Sequence, residues 1–207
     1  YDGGATSLST NLYHDGAWKA KETGTSSRYE VGADGTHNWY SGASASADAS
    51  VTLTKTLGVD ADGQVTMPKQ SSFMATSSTS QTNLASSTEV QVIFGGTDIW
   101  DINGDFASNV FTAPVTGKYL LQARIRMDNM AADATYMHTY FKSSNRNHHL
   151  ELFDPDNYDG GGVYHTIQGS AIVDMDADDT CDVTIYQASG SQVTDLDGCH
   201  FSGWLLG

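Results

Sequence analysis

The chain has 207 residues, a formal charge of −15 and only 17% charged residues. Ten Lys+Arg give no basic cluster to hold nucleic-acid phosphates or an anionic membrane surface, and no run approaches the roughly 18 apolar residues of a membrane-spanning helix. Of the 25 acids only four are Glu, and Gly, Ser and Thr abound, which is the composition of short strands joined by turns rather than of a helical bundle.

The chain opens on Tyr1 with no basic-then-apolar leader, and reads as a processed or excised fragment. Residues 1–70 carry sparse large apolar side chains (Leu8, Leu12, Trp18, Tyr29, Trp39, Leu53, Val65) between Gly-, Ser- and Ala-rich runs such as Ser41–Ala47. Short alternations at Val51–Thr54 and Gln64–Met67 predict strands, and Asp15-Gly16, Asp34-Gly35 and Asp62-Gly63 predict the turns of hairpin-like units. So little apolar mass does not offset the entropy of ordering 70 residues. The expectation is a thin β stem that buries its apolar residues against identical neighbouring chains.

Residues 71–207 read as a globular all-β domain. Gly117–Met127 alternates, with Tyr119, Leu121, Ala123, Ile125 and Met127 on one face and Lys118, Gln122, Arg124 and Arg126 on the other; Leu120 is the exception. Further strands are expected at 90–94, 109–112, 136–142, 163–173, 182–187 and 200–206. Asp/Gly/Asn turns at Ile102–Asp105, Asn157–Gly162 and Asp195–Gly198 separate them. Eight or so strands in this length suit a sandwich or jelly roll. Cys181 and Cys199 are too few for a disulfide framework; bridged or free, both readings stand.

Asn109-Val-Phe-Thr-Ala-Pro-Val-Thr-Gly-Lys-Tyr-Leu-Leu121 resembles the signature of the complement globular head, a jelly roll shared with tumour necrosis factor. Phe73-Met74-Ala75 resembles that family's first strand, Val92-Ile93-Phe94 its second, and Phe201-Ser202-Gly203-Trp204-Leu205 its closing strand. Asp174–Thr180 stands where the family has a Gly-containing turn, with the Gly absent. Independently of the resemblance, Pro114 fixes φ and Gly117 permits positive φ, so Ala113–Gly117 reads as a tight turn. Asn11–Lys19, Ser27–Tyr29, His37–Tyr40 and Asp60–Val65 are similar to repeats in tail-fibre and virion proteins of tailed bacteriophages, especially marine ones, where a complement-like head often follows. The resemblance implies a homotrimeric fibre in the virion, extracellular when acting: an intertwined stem and three jelly-roll knobs. Other virion proteins and a host-surface glycan or receptor are its implied partners.

Asp174, Asp176, Asp178 and Asp179 look like a calcium loop, but an EF-hand needs Gly and Glu where Asp179 and Ile185 stand. A non-EF calcium site remains an expectation, set against a solvated Asp-rich turn; no cofactor is required. His148 and His149 with Glu151 lack the His-Glu-x-x-His spacing, and adjacent strand residues point to opposite faces. No nucleophile elbow, P-loop or dinucleotide fingerprint occurs, and a non-enzyme is expected, with a glycan-degrading enzyme as the remote reading. Aromatic side chains beside polar loops suit stacking on sugars. Trp100, Tyr136, Asn145, Arg146, His148 and Tyr158 are therefore the candidate ligand residues, on loops 128–135, 143–149 and 154–162 and nearby. The function expected is adhesion by a trimeric fibre through its knob loops; the alternative is an architectural virion protein without a ligand.

Overall fold

The computed structural model describes residues 4–95, 97–158 and 164–207. The chain divides into two compact units, Tyr1–Gln70 and Ser71–Gly207.

The N-terminal unit contains β1 (Thr6–Thr10), β2 (Leu12–His14), β3 (Trp18–Ala20), β4 (Gly24–Val31), β5 (His37–Ala45), β6 (Leu53–Val59) and β7 (Val65–Thr66). Five of them form an antiparallel sheet in the order β1-β4-β5-β6-β7, and β2 and β3 form a separate hairpin. Each Asp-Gly pair is a turn: Gly16, Gly35 and Gly63 have φ of +73°, +84° and +83° and close β2–β3, β4–β5 and β6–β7. The aspartates help to fix these turns, since the Asp60 carboxylate accepts from the backbone N–H of Asp62 (3.0 Å) and of Gln64 (2.8 Å). Burial is thin. Among the described residues only Leu12 and Ala20 are buried hydrophobics in this unit, and Leu8 is 75% exposed. Side chains substitute for a core: the Asn11 amide bonds Glu22 and Thr25 carbonyls at 3.1 Å each, and the Tyr13 hydroxyl donates to Asp48 at 2.7 Å.

The C-terminal unit contains β8 (Ser72–Thr76), β9 (Glu89–Gln91), β10 (Thr97–Asp101), β11 (Phe106–Ala107), β12 (Val110–Thr112), β13 (Gly117–Asp128), β14 (Tyr136–Ser143), β15 (Asn147–Phe153), β16 (Tyr164–Met175), β17 (Thr180–Ala188), β18 (Asp195–Leu196) and β19 (His200–Leu205), with one 3-10 turn at Pro155–Asn157. One antiparallel sheet runs β10-β8-β19-β13-β16, with β18 beside β13. The other runs β11-β12-β17-β14-β15, with β9 beside β17. Both sheets contribute to a single core, in which Phe73 stacks on Phe106 and Phe111 at 4.9 and 4.8 Å and meets Phe201 edge-on at 4.9 Å. The inward residues of β13 are those of the predicted alternation: Tyr119, Leu121, Ala123, Ile125 and Met127 are all buried.

Several local expectations change. The strand expected at 90–94 ends at Gln91, and Val92–Phe94 lie outside it. Residues 143–149 are not a loop: the turn is confined to Ser144–Arg146, and Asn147–Phe153 is a strand. Gly117 is not at positive φ. A Cβ there would lie 2.8 Å from Leu205, so glycine serves close packing, while the Tyr119 hydroxyl ties the turn by donating to the Val115 carbonyl at 2.6 Å. In the Asp174–Thr180 turn, where glycine is absent, Asp178 takes the left-handed conformation at φ +71°, which short Asp side chains tolerate. The run Gly160–Gly162 and the start of the strand expected at 163 lie outside the described residues. Cys181 and Cys199 are free and buried, and burial pushes both thiols up, that of Cys199 to about 11.

Candidate functional site at the turns of the C-terminal unit

Strand pairing decides which sequence-selected residues meet. Ser143 pairs with Cys181 and Lys142 with Asp182, so the β14–β15 turn lies against the β16–β17 turn at one end of the sandwich. The Asn145 amide and Ser144 hydroxyl donate to Asp179 at 2.7 and 2.8 Å, and Asp179 also accepts the Asp176 N–H at 2.8 Å. Arg146 pairs with Asp174 at 3.1 Å. Thr116, from the turn before β13, donates to Asp176 at 3.4 Å and accepts the Ala177 N–H at 3.1 Å. The result is a cross-linked polar cap made by three turns.

This cap disperses the aspartates instead of focusing them. Asp174, Asp176 and Asp179 each face their own donor while Asp178 is exposed, and among the described residues no three His, Cys, Asp or Glu side chains converge as metal ligands. The Ser144 hydroxyl, then the Asp176 N–H, hold the Asp179 carboxyl below its ordinary range. Arg146 and the neutral donors offset part of the mutual repulsion of these carboxylates.

His148 follows the cap on β15. Its Nε2 is buried with no hydrogen-bond partner, and burial, then the Arg146 charge, lowers its pKa. Tyr136 and Tyr158 sit at the other end of these strands. Tyr136 pairs with Ala188 and contacts the Tyr186 ring at 5.9 Å. Tyr158 packs edge-on against His165 at 4.8 Å and Phe153 at 5.7 Å. Trp100 belongs to the other sheet, on edge strand β10, 6.5 Å from Trp204. The six candidate ligand residues thus fall into three places, and only Asn145, Arg146 and His148 are neighbours. Loop 128–135 is pinned rather than free: Met130, Ala131 and Ala134 are buried, and Asp133 accepts three hydrogen bonds from Ser191.

The antiparallel jelly roll with β8, β19, β13 and β16 in one sheet has counterparts among solved structures. The globular domain of zebrafish complement 1qA protein superposes with a TM-score of 0.50 at 16% identity, over 67% of this chain and 98% of that one. The C-terminal unit has the jelly-roll fold of that globular domain. Murine APRIL is a further neighbour, with a TM-score of 0.48 at 14% identity, over 67% of this chain and all of that one. No family model and no curated protein matches the sequence. Among the described residues, no helix is long and apolar enough to cross a membrane.

Two features of this jelly roll escape a linear reading. His138 and His149, eleven residues apart, stack with ring centroids at 4.5 Å and His138 Nε2 2.5 Å from His149 Nδ1. Burial, then the His149 charge, lowers the His138 pKa. The period-2 spacing puts Tyr136, His138 and Tyr140 on one face of β14, and only the pairing with β15 brings His149 to it. The second feature explains Leu120. It pairs with Trp204 on one side and Ile172 on the other, forming an apolar row across β19, β13 and β16. The row faces outward, and Ile172 is 60% exposed. Beside it a groove of about 520 Å³ is lined by Gln122, Arg124, Gln168, Ser170, His200 and Trp204.

Proposed function

We propose that this chain is a non-enzymatic adhesion protein, a homotrimeric fibre component of a bacteriophage virion that presents three jelly-roll knobs to a host-surface glycan. The observation that carries the trimer is the outward row Trp204–Leu120–Ile172. Isolated exposed apolar residues are ordinary on a surface, but a contiguous row, extended by Trp100 beside Trp204, marks a contact. The N-terminal unit points the same way: its two buried hydrophobic residues, Leu12 and Ala20, lie in the β2–β3 hairpin, and among the described residues its five-stranded sheet buries none. The phage assignment is supported by the N-terminal sequence resemblance and by the knob fold that follows it.

Recognition is assigned to the polar cap at Asn145 and Arg146, with His148 behind it, and to the aromatic Tyr158 and Tyr136 at the opposite end. Weak contacts, repeated three times per fibre and again over several fibres, gain strength through effective concentration. One observation favours a purely architectural virion role: the cap's donors and acceptors already satisfy one another, leaving few free for a ligand. Light scattering tests the assembly. The expected particle is about three times 22.1 kDa, and the double variant Leu120→Lys, Ile172→Lys reduces it to a single chain. Glycan-array binding and host-cell adsorption then separate the two roles: Arg146→Ala and Tyr158→Ala lower both for an adhesin, whereas silence on every glycan and host surface leaves the architectural one.

A further inference from the structure

The N-terminal unit contains a cavity of about 660 Å³, within the ~300–1,000 Å³ range of small-ligand sites. β1 supplies Thr6 and Ser7, of which Ser7 is paired with Glu30 and shares its face; the β2–β3 hairpin supplies His14 and Trp18, and β4 supplies Arg28 and Glu30. Arg28 and Glu30 are two apart on a strand and so share a face. They form an ion pair whose side chains are only 17% and 19% exposed. The Arg28 guanidinium also lies 4.5 Å from the Trp18 ring and 5.9 Å from the Tyr40 ring. Despite these contacts, Arg28 Nε is buried without a hydrogen-bond partner. A buried donor left unpaired costs about 1–3 kcal/mol, and a ligand oxygen would remove that cost.

The chemistry of the lining selects among ligands. Glu30 already balances the Arg28 charge, so an anion would have to displace Glu30 and a cation would have to displace Arg28. A wholly apolar ligand would strip water from the ion pair without replacing its hydrogen bonds. What matches is a neutral molecule with an apolar face and several hydroxyls, each able to donate and accept. Guanidinium, carboxylate, the Ser7 hydroxyl and imidazole supply complementary partners, and the indole supplies a flat apolar surface. We propose that this cavity is a saccharide site, taking a neutral pyranose against Trp18 with its hydroxyls held between Arg28 and Glu30. It is separate from the knob turns and does not depend on their role.

The test uses the full 207-residue chain labelled with 5-fluorotryptophan, whose four indole signals are assigned by single Trp→Phe variants. Methyl glycosides of glucose, galactose, mannose and N-acetylglucosamine are titrated into the millimolar range. At least one is expected to shift the Trp18 signal saturably. Arg28→Lys and Glu30→Gln are expected to weaken that response at least tenfold. His14→Ala, at an exposed lining position outside the ion pair, repeats the test and should weaken the response at least tenfold with the melting curve unchanged. No Trp18 shift with any glycoside overturns the proposal, as does a shift that survives all three variants. A Trp18 signal that moves with protein concentration but not with sugar would also overturn it, making the cavity a contact between copies. Shifts confined to Trp100 and Trp204 would overturn it too, while leaving a knob glycan site standing.

Discussion

The N-terminal and C-terminal units are both antiparallel β structure, yet they are held together by different forces. In Ser71–Gly207 the inward residues of two sheets interleave, and rings such as Phe73, Phe94, Phe111, Phe141 and Phe201 are fully buried. In residues 4–70 the ladders are intact, but few side chains leave water; turn aspartates, the Asn11 amide and the Tyr13–Asp48 bond fix the chain locally. Hydrogen bonds made in exchange for bonds to water contribute only about 0.5–1.5 kcal/mol each, whereas each fully buried large apolar side chain contributes ~1.5–3 kcal/mol. A regular strand pattern therefore does not by itself imply a self-sufficient domain.

The same substitution made in both units tests this difference. Leu121→Ala empties a fully buried site beside Phe73 and Gly203, and should cost ~4–5 kcal/mol, the upper end for leucine truncation. Leu12→Ala, at one of two buried hydrophobic positions in its unit, should cost ~2 kcal/mol because its surroundings can collapse. Urea unfolding followed by unit-specific NMR signals gives both numbers; equal costs would mean that the N-terminal unit has a core of comparable quality. A glycine pair sharpens the contrast. A Cβ at Gly203 would lie 2.6 Å from the Phe73 ring and 2.7 Å from Leu121, so Gly203→Ala should cost ~1–3 kcal/mol by overpacking. Gly63 has open space around it but φ of +83°, so Gly63→Ala should cost ~1–2 kcal/mol through backbone strain alone. Repacking by Phe73→Leu should restore part of the loss at Gly203 and none at Gly63.

What the sequence reveals follows the same divide. The β13 alternation and the Asp-Gly turns were legible because each depends on residues close in sequence and, for β13, on a fixed period. β15 was missed because Asn147-His148-His149 carries no apolar alternation; its strand identity comes from pairing with β14, a tertiary effect. The polar cap illustrates both sides. Asn145, Arg146 and the Asp174–Asp179 run stand out by composition, but that they spend their charges on one another appears only when the two turns are adjacent. Leu120 broke the pattern in sequence, and only the register with Trp204 and Ile172 gives it a reason. Trp100, Tyr136 and Tyr158 share aromatic character and nothing else, so composition could not tell that they lie in different places.

Acid should act on the C-terminal unit through His138 and His148. Both have pKa values lowered in the folded state, chiefly by burial. As pH falls through the unfolded value of about 6.5, the unfolded chain takes up protons that the folded imidazoles still refuse, so their contribution is present above that pH and is lost below it. The melting temperature of this unit should therefore fall between pH 7 and pH 5.5, and fall less in His148→Gln. Asp133 and Asp179, whose carboxyls are held low by Ser191 and Ser144, add a second loss only when pH drops below about 3.8.

The smallest effect is expected from divalent cations. Millimolar calcium or a chelator should leave the melting temperature unchanged, because Asp174, Asp176 and Asp179 already face Arg146, Thr116 and the Ser144–Asn145 pair. Binding calcium with these carboxylates would require the turn to give up those donors and to rebuild around a shared centre of six or more oxygens. A calcium-dependent rise that disappears in Asp179→Asn would mean that the turn makes this exchange. A rise that persists in Asp179→Asn and also in Asp174→Asn would place the ion elsewhere and leave the cap as a purely protein-made cross-link.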